Sequence, residues 1–286
     1  MNMPERPLTF LPPVMPEQMK SCHFIVIGTG GTGGYLVQDL ARYLSTHQHI
    51  DSVVTIVDGD VVEEKNLVRQ NFFTTDIGQN KAVVTAERYA AHFGVYIAAV
   101  SNYLTKPKDL TTIIESVKSD ITIVIGCVDN NKTRYLIYKA AETSSFFWID
   151  AGNDIVHGQV VVSFSGSGVD METAVKADTD IPLLFDMPNI FDYHPELLEH
   201  MDKLPTELSC AEHAISAPQT VFANRMASNL CLDFIYNIVE GKIMNANGVW
   251  FNIEHQSFMR YALTPTRLNG CIEARKKLEG CKVAFK

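Results

Sequence analysis

The sequence predicts an α/β protein: a doubly wound, Rossmann-like, mainly parallel sheet with an antiparallel C-terminal extension. Three observations carry this. Short continuous apolar runs alternate with helix-periodic segments through the first half of the chain, the pattern of a parallel sheet covered on both faces. The first run ends in a glycine cluster, Gly28-Thr-Gly30-Gly31-Thr-Gly33-Gly34, that opens a helix. Two late runs, residues 249–253 and 258–263, read as a hairpin able to extend the sheet.

The elements follow in order. Residues 24–27 are apolar and β-rich, and residues 34–44 carry helical spacing through Leu36, Val37, Leu40 and Leu44. Residues 53–57 form a second strand that ends at Asp58-Gly-Asp60. Residues 81–93 read as a helix, 96–100 as a third strand and 110–117 as a helix. Residues 121–125 are a very apolar fourth strand, 132–141 a helix, and 146–149 a fifth strand. Right-handed crossovers between such strands place ligand sites at their carboxyl ends. Residues 159–164 are a further strand, followed by Ser165-Gly-Ser-Gly168. Residues 169–217 are rich in Asp and Pro with weak periodicity and predict an irregular stretch, a kind that is usually functional or mobile. Residues 219–239 give a helix with Val221, Phe222, Met226, Leu230, Phe234 and Ile238 at apolar positions. Arg275-Lys-Lys277 reads as a solvated helix face.

Length and charge limit the function classes. The chain of 286 residues can bury a substantial core in one large or two small domains. A net charge of −9 argues against nonspecific nucleic-acid binding. No apolar stretch reaches the roughly 18 residues that span a bilayer. The N-terminus carries Pro4, Pro7, Pro12, Pro13 and Pro16 without an apolar core, unlike a signal peptide. The expected location is the cytoplasm, with no membrane partner. Cys22, Cys127, Cys210, Cys231, Cys271 and Cys281 form no C-x-x-C pair, so free thiols are expected and no zinc.

The glycine cluster is a phosphate cradle by shape. A residue without Cβ lets backbone N–H groups approach a phosphate, and a helix N-terminus just beyond adds positive potential. Gly28, Gly30 and Gly33 fit G-x-G-x-x-G, which a dehydrogenase would also show. Asp58 and Asp60 are both placed to accept from ribose hydroxyls, with Asp60 further out into the crevice; either could instead be a turn residue. Three further groups do not fit a dehydrogenase: Asn66-Leu-Val-Arg69-Gln70, Asp76-Ile-Gly78-Gln-Asn-Lys81, and Gly126-Cys-Val-Asp129-Asn130 with Arg134 one turn later. They place a guanidinium, an ammonium, an amide and a carboxylate around the cradle. Arg and Lys suit phosphate oxygens, and a lone carboxylate beside phosphates suits Mg²⁺. Read singly, Arg69 and Lys81 could be surface charges, Asn66 and Asn130 helix caps, and Arg134 a partner for Asp129 or a packing residue.

This ordered set resembles the ThiF/MoeB/HesA family, which includes the adenylation domains of ubiquitin-activating enzymes. The resemblance runs over residues 22–165 and implies an ATP- and Mg²⁺-dependent adenylyltransferase. Its substrate would be the C-terminal carboxylate of a small ubiquitin-like or sulfur-carrier protein of β-grasp fold. Gly28, Gly30, Gly31 and Gly33 would form the cradle and Asp60 would take the ribose. Asn66 and Arg69 would contact the triphosphate, Lys81 the phosphates or developing charge, and Asp129 the Mg²⁺. Asp58, Gln70 and Asn130 complete the nucleotide-binding set. The carboxylate nucleophile is already ionised at neutral pH, so no general base is required. The resemblance divides the chain into a Pro-rich segment (1–21), an adenylation core (22–165), a crossover loop or substrate lid (166–217) and a completing helix and hairpin (218–286).

The chain departs from the family at two points. The paired zinc cysteines of many members are absent. So is the N-terminal Arg-x-x-Arg-Gln segment that symmetric members place in a partner's ATP site. Arg6 is not assigned that role, although a homodimer is the family default. Cys210, in Leu208-Ser-Cys-Ala-Glu-His213, is a thioester candidate beside a histidine that could favour a thiolate, or a partly buried thiol before the long helix. The Asp- and Pro-rich crossover resembles ThiF-like proteins of the PRTRC system. Competing readings are adenylation of a small molecule, peptide or tRNA base, a NAD-dependent dehydrogenase, and a non-catalytic subunit.

Overall fold

The computed structural model describes residues 5–47, 50–199, 201–207 and 219–280. Cys210, His213 and Cys281 lie outside the described residues. Strands β1 (Ser21–Ile27), β2 (Asp51–Val57), β3 (Ile97–Val100), β4 (Ile121–Gly126) and β5 (Phe147–Asn153) are followed by β6 (His157–Phe164), β7 (Ala246–Asn252) and β8 (Ser257–Ala262). Helices α1 (Gly31–Thr46), α2 (Lys81–Phe93), α3 (Pro107–Glu115) and α4 (Asn131–Ala141) connect the parallel strands. Then come α5 (Met171–Ala177), α6 (Ile190–Tyr193), α7 (Val221–Val239) and α8 (Pro265–Gly280).

The strands form one sheet in the order β3-β2-β1-β4-β5-β6-β7-β8. β3 to β5 run parallel in that order, and β6, β7 and β8 add antiparallel pairs. Alternation splits β1 between two cores. Phe24 and Val26 pack with Leu36 and Leu40 of α1 and with Ala227 and Ile235 of α7. Ile25 and Ile27 pack with Leu110 of α3, Leu136 of α4 and Phe191 of α6. The strand order reverses direction between β1 and β4, and that switch point opens the crevice in which ligands bind such sheets.

Three local differences from the expected elements have physical reasons. α1 starts at Gly31, so Gly31, Gly33 and Gly34 lie inside the helix. A Cβ on Gly33 would sit 1.9 Å from the Gly28 carbonyl oxygen, so the close crossing of α1 over the loop requires glycine there. α3 starts at Pro107, whose fixed φ suits a first helical position. β5 continues to Asn153, because pairing with antiparallel β6 extends it.

The stretch expected to be irregular holds α5 and α6, with Met171, Phe185, Met187, Ile190 and Phe191 buried in the two cores. Its hydrophobic residues are spread without a repeating period, so periodicity could not reveal them. The Pro-rich N-terminal segment is also built in. Phe10 is fully buried against Phe147, Phe164 and Phe185, and its backbone pairs with Met244. Arg6 pairs with Asp180. Arg275 is not simply part of a solvated face: it is paired with the buried Asp192 on α6. No described helix is long and apolar enough to cross a membrane.

Candidate active site

A cleft of about 400 Å³ opens at the switch point. Its lining includes Gly28, Gly30, Gly31, Asp58, Asp60, Asn66, Arg69, Gln70, Lys81, Asp129 and Asn130. Residues from five separate stretches of sequence therefore meet in one place. Gly33 serves by packing rather than by lining.

The floor is the β1–α1 turn. Gly28 adopts φ +86, a left-handed conformation that glycine takes without strain. The N-cap of α1 is Gly30, with no side-chain cap. The other helices around the cleft are capped: Asn80 accepts from Val83 N on α2, Asn130 from Thr133 N on α4, and Thr220 from Ala223 N on α7. The open N–H groups at the start of α1 therefore face the cleft with the positive end of the helix dipole, an anion site.

Asp58 and Asp60 divide their work. Asp58 is buried and accepts from Thr29 N at 2.7 Å, Thr29 Oγ1 at 2.9 Å and Asp60 N at 2.9 Å. It fixes the glycine turn from below. Burial raises its pKa, and nearby Lys81 opposes that rise. Asp60 stands further out and accepts from Lys81 Nζ at 2.8 Å. Its other oxygen takes the Tyr103 hydroxyl, whose pKa is pushed up by burial and by this carboxylate. Lys81 is largely buried on the first turn of α2.

Asn66 sits in a 3-10 turn, where its Oδ1 accepts from Glu63 N at 2.8 Å. Asn66 and Asn130 thus both act as caps while lining the cleft. Gln70 is buried, and its Oε1 has no partner among the described residues. Arg69 Nη1 donates to Gln219 Oε1 at 2.6 Å. Asp129 is exposed, just past β4. Arg134 pairs neither with Asp129 nor as a simple packing residue. Its Nε donates to the buried Asp150 at 3.0 Å and its Nη2 to the Val128 carbonyl at 2.7 Å. It braces the loop that carries Asp129.

Sequence reasoning did not pick out Tyr103, Thr32, Asn153, Gln219 or Asn224. Tyr103 had a signal, since it lies three residues past β3, beside the end of β2. Asn153 and Gln219 had none, because their partners are distant in sequence. Cys127 lines the cleft beside Gly33, as a strand-end packing residue. Among the described residues, no three or more His, Cys, Asp or Glu side chains gather as a metal cluster.

The family model described as ThiF family matches residues 6–272. The adenylyltransferase and sulfurtransferase UBA4 of Yarrowia lipolytica is 27% identical over 145 residues, which is 50% of this chain and 34% of that protein. The chain thus spans about a third of the length of that curated relative. Among solved structures, E. coli MccB with ATP gives a TM-score of 0.60 at 15% identity, covering 87% of this chain and 66% of that one. Selenomethionine PaaA gives 0.57 at 16% identity, over 87% and 66% of the two chains. At these identities the structural likeness is one of fold.

Proposed function

The chain belongs to the ThiF family, and from that premise we propose that it is an ATP- and Mg²⁺-dependent adenylyltransferase. Its substrate is the C-terminal carboxylate of a small ubiquitin-like or sulfur-carrier protein. The observation that carries this is the uncapped N-terminus of α1 facing Lys81 and Arg69 across one cleft. Two cations and a helix dipole around a glycine turn suit a triphosphate. Asp60 is placed to hold the ribose and Asn66 and Arg69 the phosphates. The relative named as an adenylyltransferase supports the same chemistry.

One exposed carboxylate, Asp129, is a poor metal site alone and a good one for Mg²⁺, which takes one or two carboxylates plus phosphate oxygens. Bound there, Mg²⁺ would neutralise phosphate charge. The chain's own part is alignment and charge stabilisation. The α1 N-terminus, Arg69 and Lys81 orient the phosphates so that the arriving carboxylate attacks the α-phosphorus and pyrophosphate leaves on the opposite side. The new bond is carboxylate oxygen to phosphorus, and the bond broken is the α–β phosphoanhydride. A homodimer in the cytoplasm is part of this reading.

The test is exchange of labelled pyrophosphate into ATP, dependent on a β-grasp protein ending in glycine. Arg69→Ala and Asp129→Ala should each lower that exchange by about 100-fold or more. Exchange at the wild-type rate in either variant would sink the site assignment. Exchange driven by a peptide or small carboxylic acid, and not by a carrier, would move the substrate to that class.

A further inference from the structure

Arg69 and Lys81 reach the same cleft but are held in different ways. Lys81 Nζ is 2.8 Å from the Asp60 carboxylate, so its charge is compensated within the protein. Among the described residues, Arg69 forms no ion pair. Its guanidinium is held by a neutral group, with Nη1 2.6 Å from Gln219 Oε1.

Gln219 is itself held. Its Nε2 faces the Asn153 carbonyl at 3.4 Å. Asn153 Nδ2 donates to Asn224 Oδ1 at 2.8 Å, and its own Oδ1 accepts from Thr32 Oγ1 at 2.9 Å. Asn224 Nδ2 returns to the Arg69 carbonyl at 3.4 Å. The chain of contacts closes on itself: Arg69, Gln219, Asn153, Asn224 and back to Arg69. Asn224 is fully buried and wedged on Gly31, where an added Cβ would lie 2.1 Å from its Nδ2. The ring is thereby anchored both on α7 and on the first turn of α1, the two helices that flank the phosphate cradle.

A carboxylate at position 219 would grip a guanidinium more firmly and would cancel its charge. A carboxamide fixes the geometry and leaves the full charge for an incoming anion. We infer that Gln219, steadied by Asn153 and Asn224, is a positioning residue that aims the Arg69 guanidinium at the nucleotide phosphates without neutralising it. This rests on reading the cleft as an ATP site.

The experiment measures binding of Mg²⁺ with the non-hydrolysable α,β-methylene analogue of ATP by calorimetry, with the melting temperature followed in parallel. Gln219→Met keeps the side chain's length and removes the hydrogen bond; affinity should fall roughly fivefold, the worth of one such bond. Gln219→Glu keeps the acceptor and adds charge; affinity should fall about tenfold or more while the melting temperature holds or rises. A merely structural role would not separate those two readouts. In an Arg69→Met background, Gln219→Met should cause no further loss. Wild-type affinity in Gln219→Glu, or a full additive loss in the Arg69→Met background, would overturn the inference. Should Gln219→Met not fold, Gln219→Glu alone decides. If Arg69→Met itself bound the analogue as well as wild type, the ATP-site reading would fail along with it.

Discussion

His23 lies wholly inside the sheet, with Nε2 2.8 Å from Thr55 Oγ1 on β2 and no partner for Nδ1 among the described residues. Burial lowers its pKa from 6.5 to about 4. The unfolded chain therefore binds more protons than the folded one between those values, and stability rises with pH across that window. This contribution is complete above 6.5 and is lost as pH falls toward about 4. The melting temperature should drop over that range, and His23→Gln should lessen the drop; identical pH profiles for the two proteins would refute the assignment. At this scale the sequence was most informative where residue type limits chemistry. That Gly28, Gly30, Gly31, Lys81 and Asp129 meet in one cleft could be read from type and position, because each follows a strand end of a parallel sheet. Position beyond the strand set Asp60 further out than Asp58, but the role of Asp58 beneath the turn, accepting from Thr29, was not legible. Both end the same strand, and only the fold turns one inward.

At the level of elements, the cleft depends on α1 lying against its own loop. Gly33→Ala would put a methyl group 1.9 Å from the Gly28 oxygen and 3.2 Å from Cys127 Cβ, both on the loops that flank the cleft. Overpacking of this kind costs about 1–3 kcal/mol. The helix would have to move off the turn, so nucleotide affinity should fall together with the melting temperature. Asn80→Ala removes the cap of α2 and should cost about 1 kcal/mol. It also loosens the helix start that carries Lys81, whose backbone N–H reaches the Asp60 carbonyl at 2.9 Å. Denaturant titration of both variants checks the pair, and a wild-type midpoint for Gly33→Ala would count against the close crossing. The parallel strands and their helices were legible because apolar runs and helical periodicity are local signals. Residues 169–193 were not, because their burial comes from contacts with distant elements and leaves no period in the sequence.

Across the whole molecule, segments outside the parallel strands and their helices close the fold. Phe10, Phe185 and Met244 bring the N-terminal segment, the α5–α6 stretch and the start of β7 together. α8 fastens this assembly from outside. Thr266 N donates to Glu5 Oε1 at 2.9 Å, and the Arg275 guanidinium meets the Asp192 carboxylate, which is almost wholly buried on α6. A basic run in sequence looks solvated because most such runs are, and only the tertiary position of Asp192 distinguishes Arg275 from its neighbours. Removing one partner of a buried pair leaves the other charge uncompensated, at a cost of about 3–5 kcal/mol. Arg275→Met should therefore lower the unfolding midpoint strongly, and adding Asp192→Asn should recover part of that loss. The pair lies apart from the residues lining the cleft, so folded Arg275→Met protein should bind the ATP analogue as wild type does. A midpoint unchanged by Arg275→Met would show that α8 is held by its apolar face, Leu268 and Cys271, and not by this ion pair.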